Sequence, residues 1–232
     1  MKRIVNVVLV ISFIFTSLAS RAESDIENIS QFKIASLQLL SSFSAFIYFE
    51  GDELNRSRLN QAQANGDNTL SNISNPSPEL SQKWLEISDY LKTSQGRQFD
   101  VNLEAGWSIL QEELNQIIIL QEAKAVTPKS TIAQNSIIQL QIKMESVLSR
   151  YMAFANSTWG GYGVSSQGVP LEEEIKAVTL SMAGLVEQDA KYKPLAKKWG
   201  YIEKTLLAYN SNVAPFVVMH TFDKMRTMIA SY

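Results

Sequence analysis

The stretch Leu80-x-x-Lys83-Trp84-x-x-Ile87-x-x-x-Leu91 recurs without a gap as Leu195-x-x-Lys198-Trp199-x-x-Ile202-x-x-x-Leu206. The apolar positions i, i+4, i+7 and i+11 fall on one side of a helix with 3.6 residues per turn. Each copy therefore predicts an amphipathic helix that buries an apolar stripe centred on a Trp.

The similarity between the two halves extends beyond this stretch. At the same offset of 115 residues Leu70 matches Leu185, Trp107 matches Phe222 and Leu114 matches Ile229, whereas nearer the N-terminus Ile34 matches Ile137 and Tyr48 matches Tyr151 at an offset of 103. Self-similarity of this kind is typical of an internal duplication. We therefore expect two modules, residues 23–127 and 128–232, the second with a twelve-residue insertion.

Helical spacing of apolar residues and the absence of strand-like alternation predict an all-α fold, with about four helices in each module. In the first module we expect helices at about 25–49, 53–73, 78–95 and 100–123. Short connections favour antiparallel neighbours, so each module is predicted to be an up-and-down bundle. The second helix contains Asn65-Gly66-Asp67-Asn68, poor helix formers that favour a break into two short helices.

The N-terminus has the pattern of a secretory signal peptide. Met1-Lys2-Arg3 is followed by an apolar run and then by Ala19-Ser20-Arg21-Ala22. The run is shorter than the roughly 20 residues that a spanning helix needs, and no second span follows. Residues 1–22 are therefore predicted to be the signal peptide of a soluble periplasmic or secreted protein, with an uncleaved anchor as the alternative.

Charge and cysteine content narrow the function classes. Without residues 1–22 the chain loses three of its 21 basic side chains and none of its 23 acidic ones, so the formal net charge changes from −2 to −5. This balance argues against nucleic acid as a partner. The chain has no Cys, so its stability has to come from burial rather than from disulfides.

No catalytic or metal-binding motif stands out, and we expect neither enzymatic activity nor a cofactor. The chain has no Cys and one His, and Gly163 to Gly168 matches a nucleophile elbow only loosely. His220 with Met144 or Met152 could ligate haem axially, as in exported bundles of the cytochrome b562 type. A packed or exposed His near buried Met residues is the more common arrangement.

Arg56 and Arg58 are the closest pair of Arg residues and suit the recognition of an anion. With Arg58, Gly66 and Trp84 in this order, the region from about Phe46 to Leu91 resembles the periplasmic input bundles of type IV pilus chemotaxis transducers and nitrate sensors. The resemblance implies a signal-input module that binds a small anion. The matching part of the second module carries three consecutive acids, so an anion is expected in the first module only.

The insertion after the fifth predicted helix, Asn156 to Gly168, holds Trp159 and Tyr162 among four glycines. Aromatic rings provide a large contact area with few rotatable bonds, and glycines let a loop move. Trp159 and Tyr162 are therefore ligand-binding candidates, and the alternative is that Trp159 plugs the end of the bundle.

Together these features predict an exported helical-bundle protein that binds a small ligand or a partner protein. Its most specific form is a periplasmic signal-input module that docks on a membrane-bound partner. A structural or adhesive protein and a b562-like haem carrier are the alternatives.

Overall fold

A computed structural model describes the backbone of residues 2–94, 101–125, 136–156 and 169–232, and within these ranges it does not describe the side chains of 2–24, 101–105 and 108. The described part contains helices and no strands, which confirms the all-α prediction. The α-helices are α1 (Lys2–Tyr48), α2 (Glu53–Ser71), α3 (Pro78–Ser94), α4 (Val101–Ala125), α5 (Ile137–Asn156), α6 (Leu171–Gln188), α7 (Lys193–Leu207) and α8 (Pro215–Ile229).

The helix starts follow local chemistry that is visible in the sequence. The backbone N–H of Asn55 donates to the Asp52 side chain at 2.7 Å, and that of Leu80 donates to Ser77 Oγ at 3.2 Å. These bonds satisfy amide groups that the first turn of a helix leaves without a partner. Pro194 and Pro215 occupy the first turns of α7 and α8, where a missing N–H costs nothing.

The helix α2 is continuous, so the expected break at residues 65–68 is wrong. Gly66 is buried, and a Cβ atom at this position would lie 2.2 Å from Cη2 of Trp84. The glycine therefore creates the space into which the indole ring of Trp84 packs. Tertiary packing outweighs the low helix propensity of this stretch.

A first hydrophobic core lies among α1, α2, α3 and α4. Trp84 packs against Phe32 with ring centroids 5.2 Å apart, and Trp107 against Phe43 at 4.5 Å. Both Trp rings are almost fully buried. Large aromatic side chains supply much of the burial that a chain without disulfides needs.

A second core lies among α5, α6, α7 and α8. Trp199 packs edge-on against Phe222, with ring centroids 6.2 Å apart. The end of α1 belongs to this core as well, because Ala45 is buried in it and Tyr48 and Phe49 pack against it.

The two cores meet where α1 packs along α5. Across this contact Gln38 Nε2 donates to Glu145 Oε1 at 3.0 Å, and Asn156 Nδ2 donates to the Ser44 carbonyl at 2.7 Å. Glu145 is completely buried.

The predicted signal peptide, residues 1–22, falls in the first half of α1, where side chains are not described, and it stays a prediction. Within the described part of the chain, no helix combines the length and apolar character required to cross a membrane.

Candidate functional site

A cavity of about 460 Å³ lies between the two cores, bordered by α1, α4, α5 and the first turn of α6. Its apolar wall consists of Leu37, Leu40, Ile119, Ile142 and Val169. Helices α1 and α4 contribute to the first core and α5 and α6 to the second, so a molecule in the cavity would touch both halves of the chain.

Four charged side chains also border the cavity as two ion pairs. Lys33 Nζ donates to both carboxylate oxygens of Glu122, at 3.1 and 3.3 Å. Arg150 Nη1 lies 3.1 Å from Glu174 Oε1. The Lys33–Glu122 pair is partly exposed, whereas the side chain of Arg150 is only 7% exposed.

The guanidinium group of Arg150 is the least satisfied charge in the site. The Arg150 Nη1 contact with Glu174 is close but not aligned as a hydrogen bond, and within the described residues Nε and Nη1 have no hydrogen-bond partner. Buried charged groups are normally paired and hydrogen-bonded, because desolvation of an unpaired charge is costly. Arg150 therefore has donors available on the cavity wall.

Gln111 on α4 also borders the cavity. It is 5% exposed, and its Nε2 has no hydrogen-bond partner within the described residues. A buried donor without a partner costs about 1–3 kcal/mol. The cavity thus has unpartnered donors on two helices that belong to different cores.

The positive charge of Arg150 also affects the pKa of Glu172, in the first turn of α6. The hydroxyl group of Tyr209 donates to Glu172 Oε1 at 2.7 Å and lowers the pKa of the Glu172 carboxyl, and the charge of Arg150 lowers this pKa further. The same hydrogen bond raises the pKa of Tyr209 above its ordinary value.

The structure places Arg56 and Arg58 away from this cavity and gives each its own partners. Arg56 lies over the Phe46 ring, 5.2 Å from its centroid, and donates to the Gly51 carbonyl at 3.3 Å. Arg58 donates to Asn55 Oδ1 at 3.0 Å and to Asp223 Oδ2 at 2.7 Å. Anion binding by this pair stays a prediction.

The other predicted positions fall elsewhere. Trp159 and Tyr162 lie outside the described residues. His220 is exposed on α8 and its ring stacks on Phe216 at 6.3 Å, whereas Met144 and Met152 are buried in the second core. Among the side chains that the structure describes, no group of three or more His, Asp or Glu is arranged to hold a metal ion.

Neither Arg150 nor Gln111 was singled out from the sequence, although the register between the two halves contained a signal for Arg150. At an offset of 103 Arg150 matches Ile47. At an offset of 115 Gln111 matches Arg226, which is also polar, so Gln111 carries no such signal. A charge that replaces an apolar residue at a buried helix position indicates a special role.

Comparison of the chain with protein families, with characterised proteins and with solved structures gives no match. The function proposed below therefore rests on the geometry of the cavity.

Proposed function

We propose that this is an exported helical-bundle protein that binds a small ligand in the cavity between its two cores. The observation that carries the proposal is the pair of buried side chains, Arg150 and Gln111, whose donors line this cavity without described partners. A ligand that accepts these hydrogen bonds would recover part of the desolvation free energy of both groups.

The size and lining of the cavity support this proposal. Small-molecule sites typically measure about 300–1,000 Å³ and combine an apolar lining with a few polar groups that orient the ligand. This cavity has about 460 Å³, an apolar wall formed by three helices and by Val169 just before α6, and two unpartnered donor groups.

The position of the cavity favours a signal-input role. We propose that residues 23–127 and 128–232 are duplicated bundle modules, exported by means of residues 1–22, and that the ligand lies between them. A ligand that contacts both modules stabilises the arrangement in which those contacts form, and so shifts the population of their relative positions. A membrane-bound partner would then recognise the liganded arrangement.

A thermal-shift screen of organic acids, amino acids, amines and sugars tests the proposed binding. A ligand present at 100 times its dissociation constant stabilises the native state by about 2.7 kcal/mol. For a chain of this size we expect a rise in the melting temperature of roughly 5–10 °C.

A cavity-filling variant locates the site. Ile142→Phe replaces an aliphatic side chain on the cavity wall by a larger aromatic ring. This variant should abolish the rise in melting temperature that the ligand causes. Leu180→Phe is the matched control, because Leu180 is an exposed residue of α6 away from the cavity. The proposal fails if no compound raises the melting temperature, or if Ile142→Phe responds to the ligand as the parent does.

A further inference from the structure

We infer that the ligand is an aliphatic carboxylate, whose head group binds Arg150 and Gln111 and whose chain lies against Leu37, Ile119 and Ile142. This inference rests on the proposed function, because it assigns a chemical class to the molecule in the same cavity.

The unpartnered groups define the chemistry of the head group. The buried polar atoms on the cavity wall that lack a described partner are Arg150 Nε, Arg150 Nη1 and Gln111 Nε2, and all three are donors. They require a ligand with acceptor oxygens. A carboxylate has two such oxygens and the charge opposite to that of a guanidinium group.

Three other polar groups on the wall already have acceptors within the protein, whereas the partly buried Asn115 side chain has no hydrogen bond within the described residues. Lys33 donates to Glu122, Ser149 Oγ donates to the Ser146 carbonyl at 2.8 Å, and Ser146 Oγ donates to Glu174 at 3.4 Å. Among the buried side chains of the wall, the donors that lack an acceptor are therefore those of Arg150 and Gln111.

The rest of the cavity defines the body of the ligand. Its volume of about 460 Å³ is much larger than an inorganic anion requires, and five apolar side chains line it. An aliphatic chain on these side chains would remove apolar surface from water, which favours binding. A small hydrophilic anion would leave these apolar side chains in contact with water.

The anchoring residues explain why such a ligand would couple the two halves. Gln111 lies on α4, which contributes to the first core, and Arg150 lies on α5, which contributes to the second. One carboxylate that accepts from both side chains would link the two cores directly.

Calorimetric titration of the full protein with octanoate tests the head group, with octanol and octylammonium as probes of equal chain length. We expect octanoate to bind with one molecule per chain, octanol to bind at least about tenfold more weakly, and octylammonium not to bind. The difference follows from the loss of hydrogen bonds to a charged group. Equal affinities for octanoate and octanol would overturn the assignment of a carboxylate.

Two variants test the anchoring residues. Gln111→Met keeps the length of the side chain and removes the unpartnered donor, so octanoate affinity should fall about tenfold while octanol affinity is unchanged. Arg150→Met combined with Glu174→Gln removes both charges of the ion pair, and octanoate should then bind no more tightly than octanol. Gln116→Met, at an exposed position of the same helix as Gln111, should bind octanoate as the parent does.

The outcomes separate this inference from the proposed function. If an amine or a sugar produces the thermal shift that Ile142→Phe abolishes, the cavity binds a ligand and the carboxylate assignment is wrong. If Gln111→Met and the Arg150 variant bind octanoate like the parent, the head group does not lie at these residues. If no compound shifts the melting temperature, the proposed function itself is wrong.

Discussion

The helix α5 carries two buried charged residues, Glu145 and Arg150, whose surroundings differ. Glu145 accepts hydrogen bonds from Arg226 at both carboxylate oxygens, at 2.7 and 2.6 Å, and from Gln38 at 3.0 Å. Arg150 has an ion pair with Glu174 and donors without described partners. Fully hydrogen-bonded buried charges are structural, whereas unsatisfied ones are candidates for binding sites.

The Trp residues of the two copies of the repeated stretch differ in the residue that accepts the hydrogen bond of the indole N–H. The indole N–H of Trp84 donates to Asp67 at 2.7 Å, and that of Trp199 donates to Thr179 at 2.9 Å. Both acceptors lie on the preceding long helix of the same core, α2 or α6, but they differ in chemistry. The repeated stretch predicted the burial of both rings. It could not predict the acceptor of each indole N–H, because that acceptor lies on a different helix.

At the residue scale we predict that Tyr209→Phe raises the pKa of Glu172 toward its ordinary value of 4.5, because the hydrogen bond from Tyr209 is the largest cause of the lowered value. A carboxyl whose pKa is lowered by folding adds stability above its unfolded pKa, and this contribution is lost as the pH falls through the folded pKa. The variant should therefore be less stable than the parent at pH 7, and the difference should shrink in acid.

Carbon-13 NMR titration of the glutamate carboxyls measures the change in the pKa of Glu172, and urea unfolding at neutral and acid pH measures the stability. Tyr201→Phe is the matched control, since Tyr201 is exposed on α7. A stability difference between parent and Tyr209→Phe that stays constant with pH would contradict this reading.

At the scale of helices, the contact between α2 and α3 depends on a glycine. Gly66 faces the six-membered ring of Trp84, whereas a Cβ atom at Gly200 on α7 would meet nothing within 4 Å. The same substitution should therefore have opposite effects at the two positions.

We predict that Gly66→Ala destabilises the protein by about 1–3 kcal/mol, because the new methyl group forces Trp84 to move. Gly200→Ala should stabilise it by about 0.4–1 kcal/mol, because alanine has less conformational freedom to lose on folding. Urea unfolding followed by circular dichroism measures both changes. Equal effects of the two substitutions would show that Trp84 does not pack on α2 as described.

At the scale of the whole molecule, a chain of ion pairs connects the two cores. Arg58 on α2 donates a hydrogen bond to Asp223 on α8 at 2.7 Å. Arg226 donates hydrogen bonds to both Asp223 and Glu145. Burial disfavours the charge of Arg226, but Glu145 and Asp223 outweigh this effect and raise the pKa of Arg226. Arg226 therefore stays charged over the whole working pH range.

We predict that Arg226→Met destabilises the protein by about 3–5 kcal/mol, since it leaves the buried carboxylate of Glu145 without its cation. The double variant Arg226→Met with Glu145→Met should recover most of this loss. Glu145 also accepts a hydrogen bond from Gln38 on α1, so it links the two cores. We therefore expect the two cores to unfold together, with the same midpoint by circular dichroism and by Trp fluorescence. Lys224→Met, at an exposed position of α8, is the control.

Two results would contradict this account of the connection between the cores. One is an unfolding free energy of Arg226→Met equal to that of the parent. The other is a double variant as unstable as the single variant, because the loss would then not come from an unpaired Glu145.

The sequence by itself determined the helical class, the helices predicted at about 53–73 and 78–95, and the burial of the repeated Trp stripe. These features are local, because they depend on periodicity, capping and the fixed φ of proline. Only the tertiary structure showed that Gly66 accommodates Trp84 and that Arg150 and Gln111 border one cavity. The physical reason is that residues 111 and 150 lie on different helices, and which side-chain donors remain unpartnered is decided only when the helices pack.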